Sequence, residues 1–152
     1  MAARPRLQLF SSWFCPYAQR AWITLEELGL PYEWVEIQPY QLRQDGSATK
    51  NPKPLEQKRA DYPGFVEASP KGLVPALAER DSAGTVRRRV HDSLVCVRYL
   101  DEVWGGGRLQ SNNLEVQRGI AVAEGQVIPH FYRLLMEAGT EQRLVHSDAI
   151  FW

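Results

Sequence analysis

The sequence predicts an α/β domain laid out β-α-β and then β-β-α, followed by an incomplete all-α domain. Three observations carry this expectation. Ala18, Ala21, Trp22, Leu25 and Leu28 recur at the spacing of one buried helix face, between two short apolar runs that read as strands. Residues 73–78 and 85–90 read as two more strands joined by turn formers. Beyond Gly105-Gly106-Gly107 the apolar residues keep helical spacing only.

The composition, 44% apolar and 24% charged over 152 residues, suits a soluble globular chain and excludes the collagenous and disordered classes. Eighteen basic residues balance eighteen acidic ones, so nucleic acid and anionic membranes are not expected partners. Met1-Ala2-Ala3-Arg4-Pro5-Arg6 runs straight into Leu7 without the apolar stretch of a secretory leader. No span approaches the roughly 20 apolar residues of a membrane helix. The two cysteines, Cys15 and Cys96, make neither a disulfide framework nor a Cys-x-x-Cys pair, which points to a reducing, cytoplasmic compartment.

The first strand covers residues 7–10, and the helix after it stops at Gly29 and Pro31. Residues 33–37 form the second strand, with Trp34 on one face and Val35 and Ile37 on the other. Residues 38–63 shift to Pro, Lys, Arg, Gln, Asp and Asn without apolar periodicity, and Asn51-Pro52-Lys53-Pro54 opposes a helix, so the stretch reads as a solvated loop. One helical turn is expected over 65–69. The strands at 73–78 and 85–90 pair as a hairpin through residues 79–84, where Asp81, Ser82 and Gly84 supply the turn. Asp92 and Ser93 are favoured N-cap residues, and Cys96, Tyr99, Leu100 and Val103 stripe the helix behind them. Residues 1–104 then form one domain with the layout of a thioredoxin-like sheet covered by helices, and 105–112 a linker. A partial helical domain occupies 113–152, with Asn112 and Glu115 as its start signal. Val116, Ile120, Ala123, Val127, Leu134 and Ala138 form its stripe, Pro129 a kink and Gly139 a stop, and a last short helical segment follows Glu141.

Cys15 falls between the first strand and the first helix, with Pro16 at the first helical position, where a missing N–H costs nothing. A sulfur at that positive helix end favours thiolate over thiol, and such cysteines titrate at about 3.5–7.5. A thiolate at neutral pH is a nucleophile. Position alone also permits a second reading of Cys15, as a small buried hydrophobe. Cys96, inside a helical stripe, reads as core packing.

Phe14-Cys15-Pro16-Tyr17-Ala18-Gln19-Arg20, Gly72-Leu73-Val74-Pro75-Ala76-Leu77, and Asp92-Ser93 ahead of Tyr99-Leu100-Asp101-Glu102 resemble, in order and spacing, the amino-terminal half of a glutathione transferase. The cysteine-containing omega and lambda classes are the most similar. The resemblance covers residues 7–104 well and the later helices more loosely. It implies glutathione as cosubstrate, a small-molecule acceptor, no metal, and a homodimer as one assembly.

Residue by residue, the resemblance makes Cys15 the catalytic group, forming a mixed disulfide with glutathione. Tyr17-Ala18 stand where a second cysteine would, so a second glutathione resolves the disulfide in a monothiol route. Reduction of mixed disulfides or of dehydroascorbate would be the activity. Val74-Pro75 takes the family's cis-proline position, where Val74 offers its backbone N–H and C=O to the cysteinyl part of glutathione as an added strand would. Asp92 and Ser93 match the acidic-or-amide then serine pair at the γ-glutamyl end, Asp being one methylene shorter than the usual Glu or Gln. Ser93 would meet the carboxylate and Asp92 the α-amino group. The glycyl carboxylate falls to residues 58–62, with Lys58 and Arg59 as two candidates. Tyr17 lines the sulfur pocket or packs its helix. His130 and Phe131 lie in the helix that lines the family's acceptor pocket, with helix-to-helix packing as the other reading.

Arg87-Arg88-Arg89 alternate faces on a strand with no interleaved aromatics, which argues against nucleic acid. His91, His130 and His146 are widely spaced without metal-site partners, and the three glycines lack the Lys-Ser/Thr of a phosphate loop. The chain stops at the apolar Ala149-Ile150-Phe151-Trp152, short of the family's full helical domain, so it reads as a shortened member, a fragment or a splice product. Three functions stay open: a cysteine-type thioltransferase, an enzyme that conjugates glutathione to an electrophilic metabolite, and a non-catalytic glutathione-binding relative.

Overall fold

The computed structural model describes residues 6–110 and 113–137. Asn112, Ala138, Gly139 and the expected segment after Glu141 lie outside the described residues. The chain divides into two compact units, Met1–Gln110 and Ser111–Trp152. No helix among the described residues is long and apolar enough to cross a membrane.

In the first unit, β1 (Arg6–Ser11), α1 (Pro16–Leu28) and β2 (Tyr32–Glu36) form a parallel β-α-β unit. The chain continues through β3 (Tyr40–Leu42), β4 (Ala48–Pro52), α2 (Leu55–Asp61) and α3 (Pro63–Ala68). It then returns to the sheet as the antiparallel hairpin β5 (Ala76–Arg80) and β6 (Val86–His91), and ends in α4 (Ser93–Tyr99), prolonged by a π-helical turn, Leu100–Gly105. The main sheet has the order β2-β1-β5-β6. Because successive strand residues point to opposite faces, the central strands feed two cores. Leu7, Leu9 and Leu77 pack with Ala21, Leu25, Cys96 and Leu100 of α1, α4 and its continuation. Phe10, Ala76 and Ala78 pack with Phe65, Val66 and Ala68 of α3 on the other face.

The helix ends follow local chemistry. Gly29 closes α1 at φ +62°, a conformation that costs glycine nothing, and Gly29 and Leu30 N–H cap the carbonyls of Glu26 and Leu25. Asp92 opens α4 by accepting from the N–H groups of Leu94 and Val95 at 3.1 and 3.4 Å.

The stretch 38–63 is not a loop: it holds the two-stranded sheet β3–β4 and the helix α2. Its strands pair only with each other and most of their side chains face solvent, so they need no apolar alternation. Helix α2 buries a lysine rather than an aliphatic stripe. The strand expected from residue 73 begins at Ala76, behind a cis Val74–Pro75 bond, and Glu79 and Arg80 belong to it rather than to the turn.

The glycine-rich segment folds back on the first unit. Gly107 N–H bonds to the Asp101 carbonyl at 2.9 Å, and Leu109 N–H to the buried Asp101 carboxylate at 3.0 Å.

The second unit begins with α5 (Leu114–Val122), capped by Asn113, which accepts from Glu115 N–H at 2.8 Å. The cap is one residue later than the expected Asn112. A π-helical turn, Ala123–Val127, leads into α6 (Ile128–Glu137). Pro129 explains the widening, since it has no N–H to return to the carbonyl four residues back.

Candidate functional site

The loop after β1 is fixed before the site begins. Ser12 Oγ donates to the Ile37 carbonyl and Ile37 N–H donates to the Ser11 carbonyl at 2.7 Å, so the ends of β1 and β2 are tied together. Cys15 N–H closes the turn onto the Ser12 carbonyl at 2.9 Å, and its own carbonyl accepts the first helical bond from Gln19 N–H at 3.0 Å. Cys15 is thus the N-cap of α1, with Pro16 at the first helical position.

Cys15 is buried, 8% exposed. Burial pushes its pKa up, against the N–H groups of Ala18 and Tyr17 and the charge of Arg20, all of which favour the thiolate. The net direction is upward, which corrects the expectation of a depressed pKa: the helix end is present, but desolvation outweighs it. Both cysteines are free. Burial and the nearby Asp92 carboxylate push Cys96 up to about 12, and its Sγ lies 3.7 Å from the Val90 carbonyl inside the core.

Aromatic rings flank the thiol loop. Trp13, 66% exposed, meets Phe14 edge-on with ring centres 5.7 Å apart, and Phe14 stacks on Tyr40 of β3 at 6.1 Å. The β3–β4 hairpin, which lies in the stretch expected to be a loop, therefore brings a ring to the site.

The other expected residues fall into two groups by their partners. Ser93, the first residue of α4, is buried, and its hydroxyl accepts from Arg20 Nη1 at 2.8 Å. The Arg20 guanidinium lies 5.0 Å over the ring of Tyr17. Tyr17 thus presents its N–H to the sulfur while its ring lies against Arg20. Asp92 is exposed and sits at φ +75°, a left-handed conformation that side chains rarely adopt. One of its carboxylate oxygens already caps α4, so only the other is left for an incoming ammonium.

In the second group Lys58 is buried, and its Nζ donates to the Gly72 carbonyl at 3.0 Å, next in sequence to the segment Leu73-Val74-Pro75. Arg59 is exposed on the same helix, so the structure separates the two candidates by depth. Burial and the neighbouring Lys53 ammonium pull the Lys58 pKa down. Lys53, which is not among the expected site residues, pairs with Asp61 at 2.7 Å and lies 5.5 Å over the Tyr62 ring. No sequence signal singled it out, because its neighbours are prolines and an asparagine. Gly72 packs closely here at φ +63°, where an added Cβ would come within 2.8 Å of Leu55 Cδ1. Val74 precedes the first paired residue of β5, Ala76, so its backbone N–H and C=O lie outside the β1–β5 ladder.

His130 and Phe131 belong to α6 in the second unit, where a ring nitrogen of His130 engages the Gln126 carbonyl of its own helix. Among the described residues no group of three His, Cys, Asp or Glu side chains could hold a metal ion.

A β2-β1-β5-β6 sheet, a thiol at the start of its first helix and a cis proline just ahead of β5 together define the thioredoxin-like class of protein. Residues 14–103 match the family model of the glutathione S-transferase N-terminal domain, more than half of the chain, and the chain belongs to that family. No curated protein matches the sequence. Among solved structures, glutathione transferase Omega 3C from Trametes versicolor is similar at 28% identity and TM-score 0.56, over 95% of this chain and 54% of that one. Omega 2C from the same fungus is similar at 19% identity and TM-score 0.58, over 95% and 60%. The glutathione transferase URE2P6 from Phanerochaete chrysosporium, solved in complex with oxidized glutathione, is similar at 16% identity and TM-score 0.56, over 95% and 62%. The chain therefore spans less than two thirds of the length of each.

Proposed function

We propose that the protein is a cysteine-type, omega-like glutathione transferase whose Cys15 carries thiol transfer. The observation that carries this reading is the sulfur of Cys15 at the N-cap of α1, served by two backbone N–H groups, with no second cysteine in the sequence motif. The similarity to an Omega-class enzyme and the glutathione complex of a fold relative support it.

Deprotonated Cys15 attacks the glutathionyl sulfur of a mixed disulfide R–S–S–G. The new disulfide between Cys15 and the glutathionyl sulfur forms, the original sulfur–sulfur bond of R–S–S–G breaks, and the released R–S thiolate takes a proton as R–SH. A second glutathione thiolate then attacks the glutathionyl sulfur, giving oxidised glutathione and returning Cys15 as thiolate. The Tyr17 and Ala18 N–H groups stabilise that sulfur's negative charge at the start and at the end of the cycle. Val74 would pair with the cysteinyl backbone of glutathione, Asp92 and Ser93 with its γ-glutamyl end, and Lys58, with Lys53 beside it, with the glycyl carboxylate. His130 and Phe131 remain the acceptor candidates. Free cysteines suit a reducing compartment, the cytosol, where glutathione is the thiol source. A homodimer is the assembly we expect, and light scattering reads it.

Cys15→Ser is expected to abolish turnover of a glutathionyl mixed disulfide, a loss of about 100-fold or more, as for removal of a reacting group. Undiminished turnover in the variant removes Cys15 from the mechanism. The depth of Cys15 favours one second reading, a glutathione-binding protein without turnover. Protection of the thiol by glutathione, with no product from either a disulfide or an electrophile, would select it.

A further inference from the structure

The rings beside the thiol take no part in the chemistry proposed for Cys15. Trp13 leaves 66% of its surface open to water only two residues ahead of the sulfur, a span of under about 8 Å of backbone. Its main chain is held on both sides: the N–H donates to Glu36 Oε1 at 3.3 Å, and the carbonyl accepts from Gln19 Nε2 at 3.0 Å. The other Glu36 oxygen accepts from Trp34 Nε1 at 2.9 Å, so both oxygens of that carboxylate are engaged in fixing indole residues.

Trp13 meets Phe14 at an interplanar angle of 86°, and Phe14 lies at 27° to the ring of Tyr40. The three rings form one continuous aromatic surface, of which only Tyr40 comes from outside the thiol loop. The β3–β4 hairpin that carries Tyr40 pairs with no strand of the main sheet. It is fixed where it joins the domain instead: Tyr40 N–H donates to Gln38 Oε1 at 3.1 Å, Gln38 N–H to the Tyr62 hydroxyl at 3.3 Å, and Lys53 N–H to the Pro39 carbonyl at 2.8 Å. An exposed indole continuous with two further rings is more than a single scattered apolar residue, and such a patch beside a nucleophile suits an apolar ligand with a flat face.

We propose that Trp13, Phe14 and Tyr40 form an aromatic shelf that receives the leaving group R of the mixed disulfide R–S–S–G and selects R groups carrying an aromatic ring. Trp13 offers the open ring, and Tyr40 is a positioning residue that backs Phe14. All three belong to the first unit, so this selection operates independently of His130 and Phe131. The inference rests on reading Cys15 as the nucleophile of thiol transfer. A shelf of this kind holds R alike before and during disulfide exchange, so it acts on KM more than on kcat.

The test compares three glutathionyl mixed disulfides on the full chain, with phenylmethanethiol, cyclohexylmethanethiol and 2-mercaptoethanol as leaving thiols. The first two share the methylene next to sulfur and a six-carbon ring, and differ in flatness and π-charge. In the unaltered chain the phenylmethyl disulfide is expected to show a KM about two- to tenfold below that of the cyclohexylmethyl one, the range of an aromatic pair beyond its buried area. The hydroxyethyl disulfide should have the highest KM. Trp13→Leu keeps apolar bulk without the indole and should raise the phenylmethyl KM to the cyclohexylmethyl value. Tyr40→Leu should do so in part, and Tyr40→Phe should restore the preference, because the ring and not the hydroxyl backs Phe14. Damage to the fold alone would instead slow all three disulfides by one factor. Equal KM values for the two ring-bearing disulfides in the unaltered chain, a loss shared equally by all three in the variants, or a Tyr40→Phe variant as poor as Tyr40→Leu would each overturn the inference. If none of the three is turned over, the thiol-transfer reading fails and the shelf with it. If the hydroxyethyl disulfide is turned over without any preference for the aromatic ring, the shelf alone is removed.

Discussion

At Cys15 a single location exerts opposite effects. The helix start offers N–H groups to the sulfur, and the depth of the loop removes water from it. Burial wins in the free protein, so the thiol form predominates at neutral pH and its pKa lies above the ordinary cysteine value. Alkylation of Cys15 is therefore expected to accelerate with a midpoint above that of a free cysteine, with Cys96 slower still in keeping with its pKa of about 12. A rate-against-pH profile by intact mass checks this, and a Cys15 midpoint below 8 would contradict the burial argument. The helix-start position was legible from Pro16 and the stripe behind it. The depth was not, because it depends on what the Ser11–Ser12 tie and the β3 ring close over the loop. The same limit applied to Lys58 and Arg59, whose adjacent letters carry no sign of which one faces inward.

Elements whose buried faces repeat were readable, and elements without such faces were not. Helix α1 shows its stripe and its Gly29 stop in the letters alone. Strands β3 and β4 expose most of their residues and are held by backbone pairing and by a turn in which Asp45 accepts from Ser47 N–H and Oγ. Nothing in that arrangement demands apolar alternation. The start of α4 shows a third case, since Asp92 was legible as a cap but its left-handed backbone was not. Both properties give a prediction. Asp92→Ala should destabilise the protein by about 1–2 kcal/mol, adding the lost cap to the left-handed strain. Asp92→Asn, which keeps a capping oxygen and tolerates that conformation, should cost much less. Thermal unfolding of the two variants separates these effects.

For the whole molecule, the acid and alkaline limits of stability have different sources. Burial raises the pKa of Cys15 and Cys96, and burial with a Glu79 hydrogen bond raises that of Tyr99. These groups stay protonated in the fold at pH values where the unfolded chain has begun to release its protons. Their contribution is complete below the unfolded cysteine pKa of about 8.5 and is lost as pH rises toward the folded values, near 12 for Cys96. The melting temperature should accordingly fall steadily above about pH 8.5, and Cys96→Ala should make that fall shallower although it lowers stability at neutral pH. An unchanged slope in the variant would show that the core thiol does not drive the alkaline loss. Asp45 and Asp81 act in the opposite sense. The hydroxyl and N–H of Ser47 hold Asp45 down, and the N–H of Thr85 with the Arg87 guanidinium hold Asp81 down, so their contribution is lost on acidification.

Trp13 stands two residues before the thiol with two thirds of its surface open to water, and its backbone is held by Glu36 through its N–H and by Gln19 through its carbonyl. Trp22 and Trp34 instead pack on each other beside the α1 core. The site thus contains its own optical reporter. A disulfide formed at Cys15 would quench the red-shifted indole emission of Trp13 while the paired indoles keep theirs, so each half of the thiol-transfer cycle can be timed by fluorescence in the unlabelled protein, and Trp13→Phe supplies the blank.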